Sequence, residues 1–173
     1  MTKKGLIIVN TGDGKGKTTA ALGMAVRNLG WGRKVSIIQF AKGGWKTGEI
    51  QFLQDNGVEI IPAWESTQWI EEIPEAERKE MTEKAMLLAK ERLQDPSIDL
   101  LILDEFNIML RYRLILPEDI LPLLMNRPEG MTVILTGRNA LPEIIAAADL
   151  VSEIKEIKHP AQKGIGAQKG IEY

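Results

Sequence analysis

Cysteine is absent from the 173 residues, and histidine occurs once. The first absence excludes disulfides, thiolate zinc sites and cysteine nucleophiles, and it is compatible with a reducing cytoplasm, the compartment we expect. The second excludes a histidine-pair metal site and any histidine relay; the lone His159, beside Pro160, reads as a surface or packing residue. An excess of one charge is also lacking. With 22 Lys and Arg against 24 Asp and Glu the net charge is −2, so composition marks no basic face for nucleic acid, and no nucleic-acid partner is expected. No apolar run approaches the length of a membrane span, so no membrane partner is expected either. Met1-Thr2-Lys3-Lys4, ahead of the first apolar run, is too short to read as a signal peptide. Internal repeats and low-complexity segments are missing. What remains is an ordinary globular composition, 44% hydrophobic and 27% charged, long enough for one domain with a sizeable core.

Apolar runs alternate with helical patterns along the chain. Strands are expected over 5–10, 34–40, 58–61, 100–104, 131–136 and 150–157, and helices over 17–29, 48–56, 74–93, 117–125 and 141–147. Leu6-Ile7-Ile8-Val9 and Leu100-Leu101-Ile102-Leu103 are continuous rather than alternating, as strands covered on both faces are. Pro74, Pro117 and Pro142 stand near helix starts, where a missing N–H costs little, while Gly30 and Gly57 mark helix stops. The order predicts an α/β fold with a mainly parallel sheet flanked by helices. The stretches 42–46 and 64–73 read as irregular, and 158–173 reads as an extended C-terminal tail over the surface or over a ligand.

One motif carries most of the chemistry. Gly12-Asp13-Gly14-Lys15-Gly16-Lys17-Thr18-Thr19 lies between a short apolar strand and a helical run. That order builds a phosphate cradle. Glycines let successive backbone N–H groups turn toward one anion, and the helix N-terminus adds its unpaired N–H groups and positive dipole end. Lys17 supplies a mobile charge for phosphate oxygens, and the Thr18 hydroxyl can reach a magnesium ion. The usual pattern places its first glycine where Thr11 stands here, and Gly12 follows one place later. A ligand-free glycine turn is the plainer alternative, and the second lysine, Lys15, argues against it, because two crowded ammonium groups call for an anion.

A second anchor is Leu100-Leu101-Ile102-Leu103-Asp104-Glu105, a buried strand ending in two carboxylates. Ligands of parallel α/β sheets gather at strand carboxyl ends, so Asp104 and Glu105 can reach the same crevice and hold magnesium or its waters against phosphate. On its own such a strand end is common; the upstream phosphate loop gives it weight. Arg138 follows a strand and Gly137, and reads equally as a phosphate contact or as a loop cation. Trp45, Trp64 and Trp69 fall in the irregular stretches, where they can stack on a flat ligand or cap the core from outside.

These residues resemble the ATP:corrinoid adenosyltransferases of the CobA/CobO/BtuR type. The resemblance rests on Gly12 to Thr19, on Gln39-Phe40-Ala41-Lys42-Gly43 with Gly48-Glu49, on Leu103-Asp104-Glu105 and on Val133-Ile134-Leu135-Thr136-Gly137-Arg138. It ends in Lys158-His159-Pro160 and in Gly164-Ile165-Gly166-Ala167-Gln168-Lys169-Gly170-Ile171-Glu172-Tyr173, and so covers nearly the whole chain. It implies a RecA-like P-loop domain that works as a homodimer and transfers the 5′-deoxyadenosyl group of ATP to a reduced cobalt(I) corrinoid, releasing triphosphate. It further implies magnesium with ATP as co-substrate, a reductase or flavin as the source of cobalt(I), and ATP bound in reversed orientation on the loop. Cobalt(I) is itself the nucleophile, so no base is required; Lys15 and Lys17 then serve catalysis by stabilising the leaving triphosphate. The resemblance departs at the loop that meets the corrinoid. The family reads approximately Gly-Phe-Thr-Trp-Glu-Thr-Gln there, and this chain reads Ala63-Trp64-Glu65-Ser66-Thr67-Gln68-Trp69. Trp64 or Trp69 is expected to form an apolar wall there and do the work of the missing Phe-x-Trp pair.

Two other functions fit the same loop. An ATPase or small-molecule kinase would cleave the γ-phosphate and recruit Glu105 to orient a water or acceptor. A binding paralogue would hold ATP or corrinoid with little turnover. Triphosphate, ADP or no product separates the three.

Overall fold

The computed structural model describes residues 4–40, 47–64, 68 and 70–173. Trp45, Trp69 and most of the irregular stretches lie outside the described residues.

Six parallel strands form one sheet: β1 (Ile7–Thr11), β2 (Val35–Gln39), β3 (Glu59–Pro62), β4 (Leu100–Asp104), β5 (Thr132–Thr136) and β6 (Leu150–Glu153), in the order β3-β2-β4-β5-β1-β6. The helices are α1 (Lys17–Leu29), α2 (Gly48–Asp55), α3 (Glu75–Gln94), α4 (Phe106–Arg111), α5 (Pro117–Met125) and α6 (Pro142–Ala147). The order places β5 between the phosphate-loop strand β1 and the acid-bearing strand β4.

The continuous apolar runs follow from burial on both faces. Along β4, Leu101 and Leu103 enter one core cluster while Leu100 and Ile102 enter the other. β1 divides the same way, with Ile7 and Val9 on one side and Ile8 on the other. Residues of α1 fill the second cluster, and residues of α3 to α6 the first. The helices come close through small side chains at one-turn spacing: Ala21 and Ala25 on α1, and Ala85 and Ala89 with Leu93 on α3, are all buried. Phe40 and Phe106 meet edge to face, ring centroids 4.9 Å apart, just beyond the carboxyl ends of β2 and β4.

The helices 17–29 and 117–125 and the strand 100–104 have the bounds read from sequence. Two differences matter. Residues 106–111 form a helix where none was expected, and the last strand stops at Glu153 instead of continuing to 157. Beyond Glu153 the chain leaves the sheet to lie against the phosphate loop, where Ile154 accepts a hydrogen bond from Gly14 N–H at 2.8 Å.

At the opposite end of the sheet Arg127 ties three backbone segments together. Its guanidinium donates to the carbonyls of Leu124 (2.6 Å), Met131 (3.0 Å) and Gly5 (3.0 Å). The planar fork of arginine suits three divergent acceptors, and lysine cannot reproduce it. We expect Arg127→Ala to lower stability by about 2 kcal/mol, the scale of hydrogen bonds from a charged donor, and Arg127→Lys to recover less than half of that in chemical denaturation.

Candidate functional site

The site is built at the carboxyl ends of β1, β4 and β5. After β1 the chain turns through Gly12 (φ 96°) and Gly16 (φ 118°), backbone angles that only glycine adopts without strain. Lys17, the first residue of α1, is 8% exposed and folds back over the loop. Its ammonium donates to the carbonyls of Gly12 and Gly14, both at 2.7 Å. The charge is therefore held at the centre of the loop by the loop itself. Asn10, buried beneath, donates from Nδ2 to the Lys17 carbonyl at 3.3 Å.

Gly14 departs from the expectation that each glycine turns an N–H toward the anion. Its N–H is donated outward to Ile154 O. A Cβ at this position would lie 2.7 Å from the Lys155 carbonyl oxygen, so glycine is required here for close approach of two backbones. Gly12 is similarly crowded: a Cβ there would lie 2.4 Å from the Ile154 carbonyl oxygen. The loop is thus fitted against the chain leaving β6.

The acids take their places through hydroxyls. Asp104 Oδ1 accepts from Thr18 Oγ1 at 2.8 Å and from Thr136 Oγ1 at 2.7 Å. Thr136 in turn accepts from the Glu105 N–H at 2.8 Å. Glu105 caps α4 in the left-handed backbone region (φ 57°), which a non-glycine residue occupies only when its surroundings hold it. The Thr136 hydroxyl and the space left by Gly137 do that: a Cβ on Gly137 would fall 3.0 Å from Asn107 Cβ and 3.4 Å from Glu105 Oε2. Asn107 closes the turn by donating from Nδ2 to the Gly137 carbonyl at 3.1 Å. The turn delivers Arg138 to the rim of the phosphate loop, where its guanidinium donates to the Asp13 carbonyl at 3.3 Å and lies 3.9 Å from the Asp13 carboxylate.

Gly12, Asp13, Gly14, Lys15, Gly16, Lys17, Thr18 and Thr19 thus form one loop and helix start, and Asp104 joins it through Thr18. Asp104 and Glu105 are almost wholly buried, at 6% and 7% exposure. No group of three or more acidic or histidine side chains able to hold a metal occurs among the described residues. A threonine hydroxyl with neighbouring carboxylates is instead the hard-oxygen set that suits magnesium, which takes one or two carboxylates and fills the rest of its shell with phosphate and water. The residues fit that ion.

Sequence reasoning missed Thr136 and Asn107. The signal for Thr136 was available: it is the polar residue that ends the apolar run Val133-Ile134-Leu135, and it is fully buried. Trp64 is placed otherwise than a ligand-facing wall. It is 2% exposed and belongs to the core cluster with Phe40 and Ile73.

The comparisons with known proteins decide the family. A model of the family described as ATP:corrinoid adenosyltransferase BtuR/CobO/CobP matches residues 3–173. The chain belongs to this family. The corrinoid adenosyltransferase of Escherichia coli K12 is 41% identical over 171 residues, 99% of this chain and 87% of the relative. The corrinoid adenosyltransferase CobA of Salmonella typhimurium is 39% identical over 99% of this chain and 87% of the relative, and a Sinorhizobium protein of the same description is 42% identical over 99% and 81%. Among solved structures, a KaiC-like protein from Pyrococcus horikoshii matches with a TM-score of 0.52 at 17% identity, covering 88% of this chain and 73% of that one. That likeness shows the fold alone, and the fold is RecA-like.

Burial sets the outcome at Trp64. We expect Trp64→Ala to cost about 3–5 kcal/mol, the scale of emptying an aromatic core position, whatever its effect on ligands; denaturant midpoints of the purified variant check this.

Proposed function

We propose that this protein transfers the 5′-deoxyadenosyl group of ATP to a cobalt(I) corrinoid and releases triphosphate, in adenosylcobalamin biosynthesis. The match of the family over residues 3–173 carries this reading. The chemistry of the site supports it. Cobalt(I) attacks the ribose 5′ carbon as the C–O bond to the triphosphate breaks; no proton has to be removed. The protein's task is to hold the two reactants in line and to stabilise a polyanionic leaving group.

Lys17, buried and centred in the loop, and Lys15 at its edge provide that charge, while the helix start at Thr18 and Thr19 offers N–H donors to the same phosphates. Thr18 and Glu105, with Asp104 close by, would hold a magnesium ion that arrives with ATP, and the ion would supply positive charge against the triphosphate. Asp104 has a second duty, because its hydrogen bond with Thr18 fixes the hydroxyl that the ion needs. Of the two tryptophans, Trp69 is the one we assign to the corrinoid wall, since the surface of Trp64 is spent in the core. A wall of this kind excludes water and disfavours a polar axial ligand on cobalt. No helix among the described residues is long and apolar enough to cross a membrane. We further infer a cytoplasmic enzyme that acts as a homodimer and receives its electrons from a reductase or free flavin. The exposed Trp31 (79%) and Phe52 (56%), on the α1 and α2 side of the sheet, leave apolar surface for a second copy.

Incubated with magnesium-ATP and chemically reduced corrinoid, the protein should yield triphosphate and adenosylated corrinoid in equal amounts. ADP as the main product would instead mark phosphoryl transfer. Lys17→Ala should lower turnover at least ~10²-fold, the scale of removing one group that stabilises developing charge. Trp69→Ala should weaken corrinoid binding, followed by visible absorbance, and leave ATP affinity within about 2-fold; an unchanged corrinoid affinity would remove Trp69 from the wall.

A further inference from the structure

The C-terminal tail returns to the phosphate loop. Across residues 151–173 only Ile154, His159 and Glu172 are partly buried; the rest are exposed. Ile154 receives the Gly14 N–H, and Glu172 pairs with Lys15, its Oε1 lying 3.3 Å from Nζ. The Glu172 carboxylate is not a loose end that has drifted to a cation. Its Oε2 accepts from the Gln168 N–H at 2.7 Å. The Glu172 N–H donates to the Gln168 carbonyl at 2.8 Å, and the Gly170 N–H to the Tyr173 carbonyl at 2.6 Å. Gly170 turns the segment in the left-handed region (φ 80°). The backbone bond from Gln168, then Lys15 and the nearby His159, hold the carboxyl below its ordinary range, so it is ionised at neutral pH.

Lys15 differs from Lys17 in what holds it. Lys17 is fixed by two loop carbonyls and is nearly buried. The Lys15 side chain is 41% exposed and has the tail carboxylate as its ion-pair partner. A free lysine carries rotamer entropy that a ligand must remove on binding. A carboxylate that takes one of the three ammonium hydrogens leaves two for phosphate and keeps the charge in place beforehand.

We propose that Glu172 is a positioning residue of the triphosphate site: the folded end of the tail holds Lys15 at the edge of the phosphate loop, so that the tail completes the loop's charge arrangement. This rests on the nucleotide reading of the loop and on nothing about the corrinoid. The opposite role, a carboxylate that occupies the anion's place and must leave, predicts an effect of opposite sign.

A double-mutant cycle separates the two. Glu172→Gln keeps an acceptor for the Gln168 N–H but removes the charge. Binding of inorganic tripolyphosphate and of magnesium-ATP, measured by calorimetry without corrinoid, is compared in the parent chain, Glu172→Gln, Lys15→Ala and the double variant. With Lys15 present, Glu172→Gln should weaken tripolyphosphate binding about 5-fold, the upper end for a partly exposed ion pair. With Lys15→Ala in place the same change should alter binding less than about 2-fold. Glu172→Asp, which keeps the charge but shortens the reach, should fall between. Unchanged or tighter binding in Glu172→Gln overturns the proposal, as does an equal loss in both backgrounds, which marks a merely structural tail. A parent chain that does not bind tripolyphosphate overturns the nucleotide reading and this proposal together.

Discussion

One oxygen organises the site. Asp104 Oδ1 accepts two hydroxyl hydrogens, from Thr18 at the start of α1 and from Thr136 at the end of β5. Each threonine has a single O–H to give, so the choice of Asp104 commits both. Thr136 then has its lone pairs turned to the Glu105 N–H. The result is a directed chain of bonds through three segments far apart in sequence. In a buried setting each bond polarises the next, and an unmet partner would be costly, so the chain is rigid or it fails as a whole. Because β5 lies between β1 and β4, the phosphate loop and the acids stand two strand spacings apart, roughly 10 Å. Thr18 crosses that gap.

Electrostatics divide the loop's work between local and borrowed parts. Lys17 donates to two carbonyls of its own loop, a short-range arrangement that forms as soon as the glycines turn. The acids depend on hydroxyls from neighbouring elements, and Lys15 depends on the far end of the chain. On the proposed reaction this division is coherent. The nucleophile arrives with the substrate, so the protein needs no base of its own and concentrates on placing charge where the leaving group departs.

Much of this was legible in the residues. Gly16-Lys17 and Pro117 mark helix starts by chemistry that tertiary packing does not override, and their helices begin as read. The run from Leu100 to Asp104 is apolar to its last residue, so the strand bounds follow from where burial ends. The helix 106–111 was hidden because it is six residues long and starts from a left-handed glutamate, with no proline or cap residue to announce it. The excess length given to the last strand came from reading Ile154 and Ile157 as sheet residues; Ile154 faces the phosphate loop instead. Trp64 was ambiguous for a plain reason. A tryptophan in an irregular segment serves a core or a ligand equally well, and periodicity cannot arbitrate where there is no period. Glu172 lay beyond any local rule, since its partner is at the other end of the chain.

The last strand has a consequence of its own. All four residues of β6 are exposed, and the strand is paired on one side only, to β1. Such an edge opens more readily than the centre of the sheet. Yet the chain just beyond it supplies the backbone surface on which Gly12 and Gly14 rest. Loop shape and edge pairing therefore share one free energy: whatever fastens the loop must also suppress fraying of β6, and fraying must loosen the loop. Amide exchange along 150–155 becomes a gauge of occupancy at a site those residues do not themselves form.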